Sequence, residues 1–204
     1  MRALAETLGV YPTAVYWHAG NKGELLNAVA NAVLEEVTLP DEGLPWTRWL
    51  SEFARGFREA VQRHPNTAPL LGSTLLLTPA LLPGLEGVLR RLESIGFGGR
   101  ELVQAYNAYF GYVVGYTINE LSQKPEDVSP DWETLAEAYL GNLSPGSYPT
   151  IVGNLQLLKN HAIAFRWISC QDSALLNSYE FGLEALLAGL EQMANGIAEQ
   201  RASG

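Results

Sequence analysis

The side chains best suited to meet a polyanion stand within the first twenty-two residues. Tyr16 offers a hydroxyl, His18 an imidazole and Lys22 an ammonium, all donors that can hydrogen-bond phosphate oxygens without reading sequence. Arg2 carries the planar fork that can pair in bidentate fashion with a guanine edge. Pro12, Thr13, Ala14 and Trp17 fall where the start of a helix would bring them to base edges in a major groove. The element that would position all of these is a helix-turn-helix. Ala5 is small enough for two helices to approach, Gly9 can turn the chain at φ > 0, and Val15 can plug the angle between the helices. Leu4 and Leu8 supply the inner face of the first helix. The amides opening the helix at Lys22 offer a further phosphate contact. The same Ala/Gly/Val spacing also fits an ordinary αα-hairpin, and at this point both readings stand.

Elsewhere the reactive residue types are scattered. Catalysis needs a nucleophile with its base, a carboxylate pair in a site, or a metal cluster. Cys170 has no neighbouring histidine and reads as a small buried hydrophobe. Glu35-Glu36, Asp41-Glu42 and Glu126-Asp127 read as solvated charge at helix ends or in loops. His64 and His161 each stand alone, which favours structural roles over metal ligation. The chain has no glycine-rich phosphate loop, HExxH or CxxC. No enzymatic activity, cofactor or metal is expected.

At 204 residues, 47% hydrophobic and 17% charged, the chain is long and apolar enough to bury a core. Its formal net charge of -9 argues against coating nucleic acid along the whole surface, while leaving room for a small DNA-facing patch. One cysteine fits a reducing compartment, and neither a run of ~18 apolar residues nor a signal peptide is present. A soluble, cytoplasmic protein without membrane partners is expected.

The hydrophobic period is that of helices throughout, so the fold class is all-α. Short helices are expected over 2–8 and 13–18. A longer one is expected from about Lys22 to Val37, with Leu25, Leu26, Val29, Val33 and Val37 on one face. Pro40, Gly43 and Pro45 then break the chain, dividing it into domains at 1–40 and 41–204. Pro45 opens a helix carrying Trp49, Phe53, Phe57 and Val61 at four-residue intervals, and Pro65 ends it. Thr78 as N-cap before Pro79 starts another, which stops near Gly96. Helices follow over Arg100–Ser122, Asp131–Leu140, Pro149–His161 and Asp172–Glu199.

The run LAETLGVYPTAVYWHAGNKGELLNAVA, Leu4 to Ala30, resembles the DNA-binding domain of TetR-family transcriptional regulators. The shared pattern is a Leu-Gly-Val turn, Tyr16-Trp17-His18 as Tyr-x-His, and Lys22 to Leu26 as Lys-x-x-Leu-Leu. Pro12-Thr13, the Tyr-Trp-His tripeptide and FGLEALLAGLE from Phe181 to Glu191 look closer still to the tetracycline-repressor-like subgroup. The likeness implies a ligand-responsive regulator, a repressor released from a double-stranded operator by a small effector, working as a homodimer. The chain departs from the family twice. The family has a helix before the helix-turn-helix, which is expected to lie upstream of Met1 or to have been left out. Residues 1–37 also carry only Arg2 and Lys22 against Glu6, Glu24, Glu35 and Glu36, a local charge of -2. The absent helix and that balance keep a second reading open beside the regulator, a helical small-molecule-binding dimer that has lost operator binding.

The resemblance also implies a C-terminal pocket and dimer interface. Trp49, Phe53 and Phe57 on one helix and Tyr106, Tyr109 and Phe110 on another are the aromatic candidates for a pocket, although such stripes also build plain cores. In the tetracycline repressors the drug binds as a magnesium chelate. Here Phe57 matches the family's phenylalanine, but Phe53 stands at the asparagine position and Thr38 near that of a histidine. Leu71 falls near the metal-ligating histidine and Val88 near a glutamine. Hydrocarbon cannot ligate a hard cation, so a more apolar or aromatic effector is expected, with Leu71 and Val88 against it. For the dimer, Gly111 and Gly115 offer a flat face on one long helix. Phe181, Ala185, Ala188 and Gly189 form a small-residue seam on the other. An internal packing seam is the competing explanation.

Overall fold

A computed structural model describes residues 1–73, 79–121, 131–159 and 176–203, and every regular element among them is helical. Three helices open the chain: α1 (Arg2–Thr7), α2 (Pro12–Ala19) and α3 (Lys22–Glu35). Gly9 turns α1 into α2 at φ +66, a left-handed conformation in which a Cβ would be strained. Pro12 follows as the first residue of α2, where its missing N–H costs no hydrogen bond. Asn21 caps α3, its Oδ1 accepting the Glu24 N–H at 3.0 Å.

The expected face of α3 is rotated. Ala30, Val33 and Leu34 are buried, Leu25 and Leu26 are half-buried, and Val29 is exposed. The C-terminal half of α3 packs on α4 (Trp46–Arg63) and on a 3-10 turn at Pro79–Leu81, and these distant partners choose the buried side. Within α4 the four-residue stripe is realised in full, with Trp49, Phe53, Phe57 and Val61 all buried. Each such side chain contributes on the order of 1.5–3 kcal/mol relative to exposure. The helix ends before Pro65, as α conformation is disfavoured there, and His64 takes φ -130, ψ 60.

After a 3-10 turn (Pro65–Thr67) comes α5 (Ala68–Ser73), which the sequence pattern does not announce. Helix α6 (Leu82–Ser94) starts beyond the Pro79–Leu81 turn rather than at it; the expected Thr78 cap lies outside the described residues. Then follow α7 (Gly99–Glu120), α8 (Trp132–Gly141), α9 (Pro149–Leu158) and α10 (Leu176–Ser203). Helix α4 contacts α3, α6 and α7, and α7 contacts α5, α6 and α10. Gly87 lies against Trp49, and a Cβ on Gly84 would come within 2.6 Å of Phe53 Cζ, so α6 approaches α4 where it has no side chain. Cys170 and His161 lie outside the described residues.

Candidate functional site

Two surfaces carry the candidate residues, and α3 joins them. At the first, Ala5 and Val15 are buried where α1 meets α2, which turns the rest of α2 outward. Pro12, Thr13, Tyr16, Trp17 and His18 are exposed, Trp17 to 86%, and Ala14 is half-buried. Lys22 is exposed at the start of α3, and Arg2 is supplied from α1. Leu8, Val10 and Tyr11 are exposed beside them, so large apolar groups gather at this end of the molecule, as they do on interaction surfaces. The start of α3 is partly spoken for. Asn21 takes the Glu24 amide and donates from Nδ2 to Glu24 Oε1 at 2.6 Å, placing a carboxylate where a phosphate contact was expected.

The second is a half-open cavity of about 300 Å³. Its walls are Leu34, Glu35, Val37 and Leu39 from the end of α3 and beyond, Phe53 and Phe57 from α4, and Ala80, Leu81, Pro83 and Gly84. Of the aromatic candidates, Phe53 and Phe57 line it. Trp49 stacks behind Phe53, with ring centroids 5.4 Å apart and planes 10° from parallel. Phe110 meets Phe57 edge-on at 6.2 Å and stacks on Tyr106 at 5.4 Å. Val88 is fully buried and Leu71 half-buried, both in the core and neither among the lining residues. Tyr109 is a strut: it is fully buried and its hydroxyl donates to the Leu50 carbonyl at 2.7 Å. Burial pushes that phenol well above its usual range, so it stays a neutral donor.

Periodicity along α4 picked out Phe53 and Phe57. It could not pick out Leu34, Glu35, Val37 or the 80–84 stretch, because these meet only through the packing of α3 on the Pro79–Leu81 turn. Asn31 makes that join: its Oδ1 accepts the Ala80 N–H at 3.2 Å and its Nδ2 donates to Glu35 Oε1 at 2.7 Å. The neighbouring Glu36 is engaged by Arg63 Nε at 2.9 Å and His64 Nε2 at 2.7 Å. Those hydrogen bonds, Arg63 first, hold its carboxyl below the usual carboxylate range.

On α7 and α10, Gly111 is exposed, Gly115 half-buried, and a Cβ at either would meet no atom within 4 Å. Phe181 is 75% exposed, Ala185 and Ala188 are exposed and Gly189 is half-buried, so none of these residues is consumed in the subunit's own core.

Residues 39–194 match the family described as Tetracyclin repressor-like, C-terminal domain. The chain belongs to the TetR family. An HTH-type transcriptional regulator of Saccharopolyspora erythraea is 32% identical over 155 residues, 76% of this chain; the match spans 65% of that relative's length. The tetracycline repressor protein class G of Vibrio anguillarum is 28% identical over 94% of this chain and 83% of its own. Among solved structures, the Streptomyces coelicolor TetR family protein ActR, crystallised with actinorhodin, superposes with a TM-score of 0.71. It is 25% identical, and the match covers 95% of this chain and 87% of ActR. TetR-family proteins are transcriptional regulators, not enzymes. The residues of this TetR-family chain do not fit a magnesium chelate. Among the described residues lining the cavity only Glu35 offers a side-chain oxygen, whereas a hard cation needs several, and hydrocarbon donates nothing to it. Among the described residues no three His, Cys, Asp or Glu gather to hold a metal. No described helix is long and apolar enough to cross a membrane.

Proposed function

We propose that this chain is a cytoplasmic, ligand-responsive transcriptional repressor. Residues 1–40 read the operator, and 41–204 bind an apolar or aromatic effector and dimerise. The observation that carries this reading is the span of α3, which packs on α2 at its start and supplies Leu34 and Glu35 to the cavity at its end. Anything that reshapes the cavity wall therefore bears on the helix that seats α2. A homodimer presents two copies of α2 to half-sites whose spacing the interface sets. An effector that prefers the conformation with misplaced α2 helices weakens operator binding, and the operator weakens effector binding by the same factor. Tyr16, His18 and Lys22 hold phosphates, while Pro12, Thr13, Ala14, Trp17 and Arg2 approach the bases. Val37, Phe53 and Phe57 receive the effector.

A mobility-shift titration of the purified protein on DNA just upstream of its own coding region tests this. A specific shift is expected, weakened in Tyr16→Phe/Lys22→Ala without loss of dimer mass. Each phosphate contact removed lowers the slope of log affinity against log salt by about 0.9. Absence of any specific shift across a range of salt, without ligand, would favour the effector-binding dimer that has no operator function.

A further inference from the structure

We infer that the cavity selects a flat apolar molecule carrying a positive charge, and that Glu35 is the residue that reads the charge. The inference rests on the cavity being the effector site and names the chemical class that site takes. Among the described residues lining it, Glu35 is the only one that ionises; the other walls are hydrocarbon, with the Phe53 and Phe57 rings among them. A cation held near such rings is attracted to their faces as well as to the carboxylate.

The two adjacent carboxylates at the end of α3 differ in a way the sequence does not display. Glu36 is already matched by Arg63 and His64. Glu35 has Asn31 as its side-chain partner among the described residues, a neutral amide that bonds Oε1 and brings no charge. Asn31 is itself held through Oδ1 by the Ala80 amide, so the carboxylate is tethered to the cavity's lip, and no cation among the described residues pairs with it. An ammonium entering with its apolar body against Phe53 and Phe57 completes that charge. As the ligand excludes water, the pair strengthens. A carboxylate or phosphate in the same place meets repulsion and no basic residue among the described lining.

Three probes on one ring system separate these terms: 1-naphthylmethylammonium, 1-naphthylmethanol and 1-naphthoate, titrated calorimetrically into the purified protein without DNA. The cation should bind one per chain and on the order of tenfold or more tighter than the alcohol, with the carboxylate weakest. Glu35→Gln, a change at an exposed position, should bring the cation down to the alcohol's affinity and leave the alcohol unchanged. The chain's net charge of -9 draws cations to its whole surface, so the variant and not salt is the deciding arm. Equal binding of cation and alcohol, a preference that survives Glu35→Gln, or no binding by any probe would overturn the inference. Operator binding without charge preference would leave the repressor reading standing alone. Charge preference in a protein that shifts no DNA would leave this inference standing and remove that reading.

Discussion

Arg58 and Glu120 are both buried, on α4 and α7, with Arg58 Nε 2.6 Å from Glu120 Oε2. The guanidinium also lies 5.1 Å from the centre of the Tyr179 ring. Two charges taken out of water gain little over apolar residues of the same size, but either alone is costly. Arg58→Met should therefore lose about 3–5 kcal/mol of stability. Arg58→Met/Glu120→Leu should recover much of the loss, read as the two urea midpoints. A double variant as unstable as the single one would mean that the pair does more than neutralise itself. Arg91 behaves differently on the same core: it bonds Glu42 at 3.0 Å and covers the Trp49 ring at 4.9 Å. The Trp49 Nε1 is buried with no hydrogen-bond partner among the described residues, a cost accepted in return for a well-packed indole.

Helix α4 is the element to which the others are fastened. Glu36 at the end of α3 is tied to Arg63 and His64, Arg55 reaches Glu180 on α10 at 2.6 Å, and the Tyr179 hydroxyl donates to the Ala54 carbonyl at 3.0 Å. The hydrogen bond from Arg55 holds the Glu180 carboxyl below its ordinary 4.5. A depressed native pKa means that the unfolded chain takes up this proton first as pH falls. The stabilisation is thus whole above about 4.5 and disappears as pH drops through the lower native value. Urea midpoints measured between pH 6 and pH 3 should fall at the acid end, and Arg55→Gln should flatten part of that fall. An unchanged slope in Arg55→Gln would assign the acid sensitivity to the other paired carboxylates, Glu36 and Glu42.

At the scale of the whole molecule, α7 and α10 present long exposed faces to a partner. Val103 and Gly111 on α7 are exposed, as are Phe181, Ala185, Ala188 and Met193 on α10, and the two helices pack on each other. Two copies of this helix pair can close into a four-helix interface around a two-fold axis. A Cβ at position 115 would meet no atom of a neighbouring element within 4 Å, so Gly115→Leu should obstruct a partner more than it disturbs the fold. Light scattering should then report a monomer where the parent is a dimer, and Phe181→Glu should do the same. A dimer mass retained in both would take this face out of the interface.

The sequence alone determined the helical period, the turn at Gly9, the proline stops and the buried stripe of α4. Each of these is a local matter of φ/ψ preference or of apolar residues recurring every turn. It also carried the family likeness, because the turn and the residues after it lie in one short run from Leu4 to Ala30. Only the tertiary structure decided which inward-facing residues meet protein and which meet space. Tyr109 and Tyr106 are three apart on one helix, yet Tyr109 is locked to Leu50 while Tyr106 is half-buried against Phe110. Periodicity gives a direction from the helix axis and says nothing of what waits there. Glu35 and Glu36 make the same point with charge. The sequence shows two equal carboxylates, and only the arrival of Arg63 and His64 from α4, and of the Ala80 turn from beyond it, makes one a clasp and the other a cavity wall.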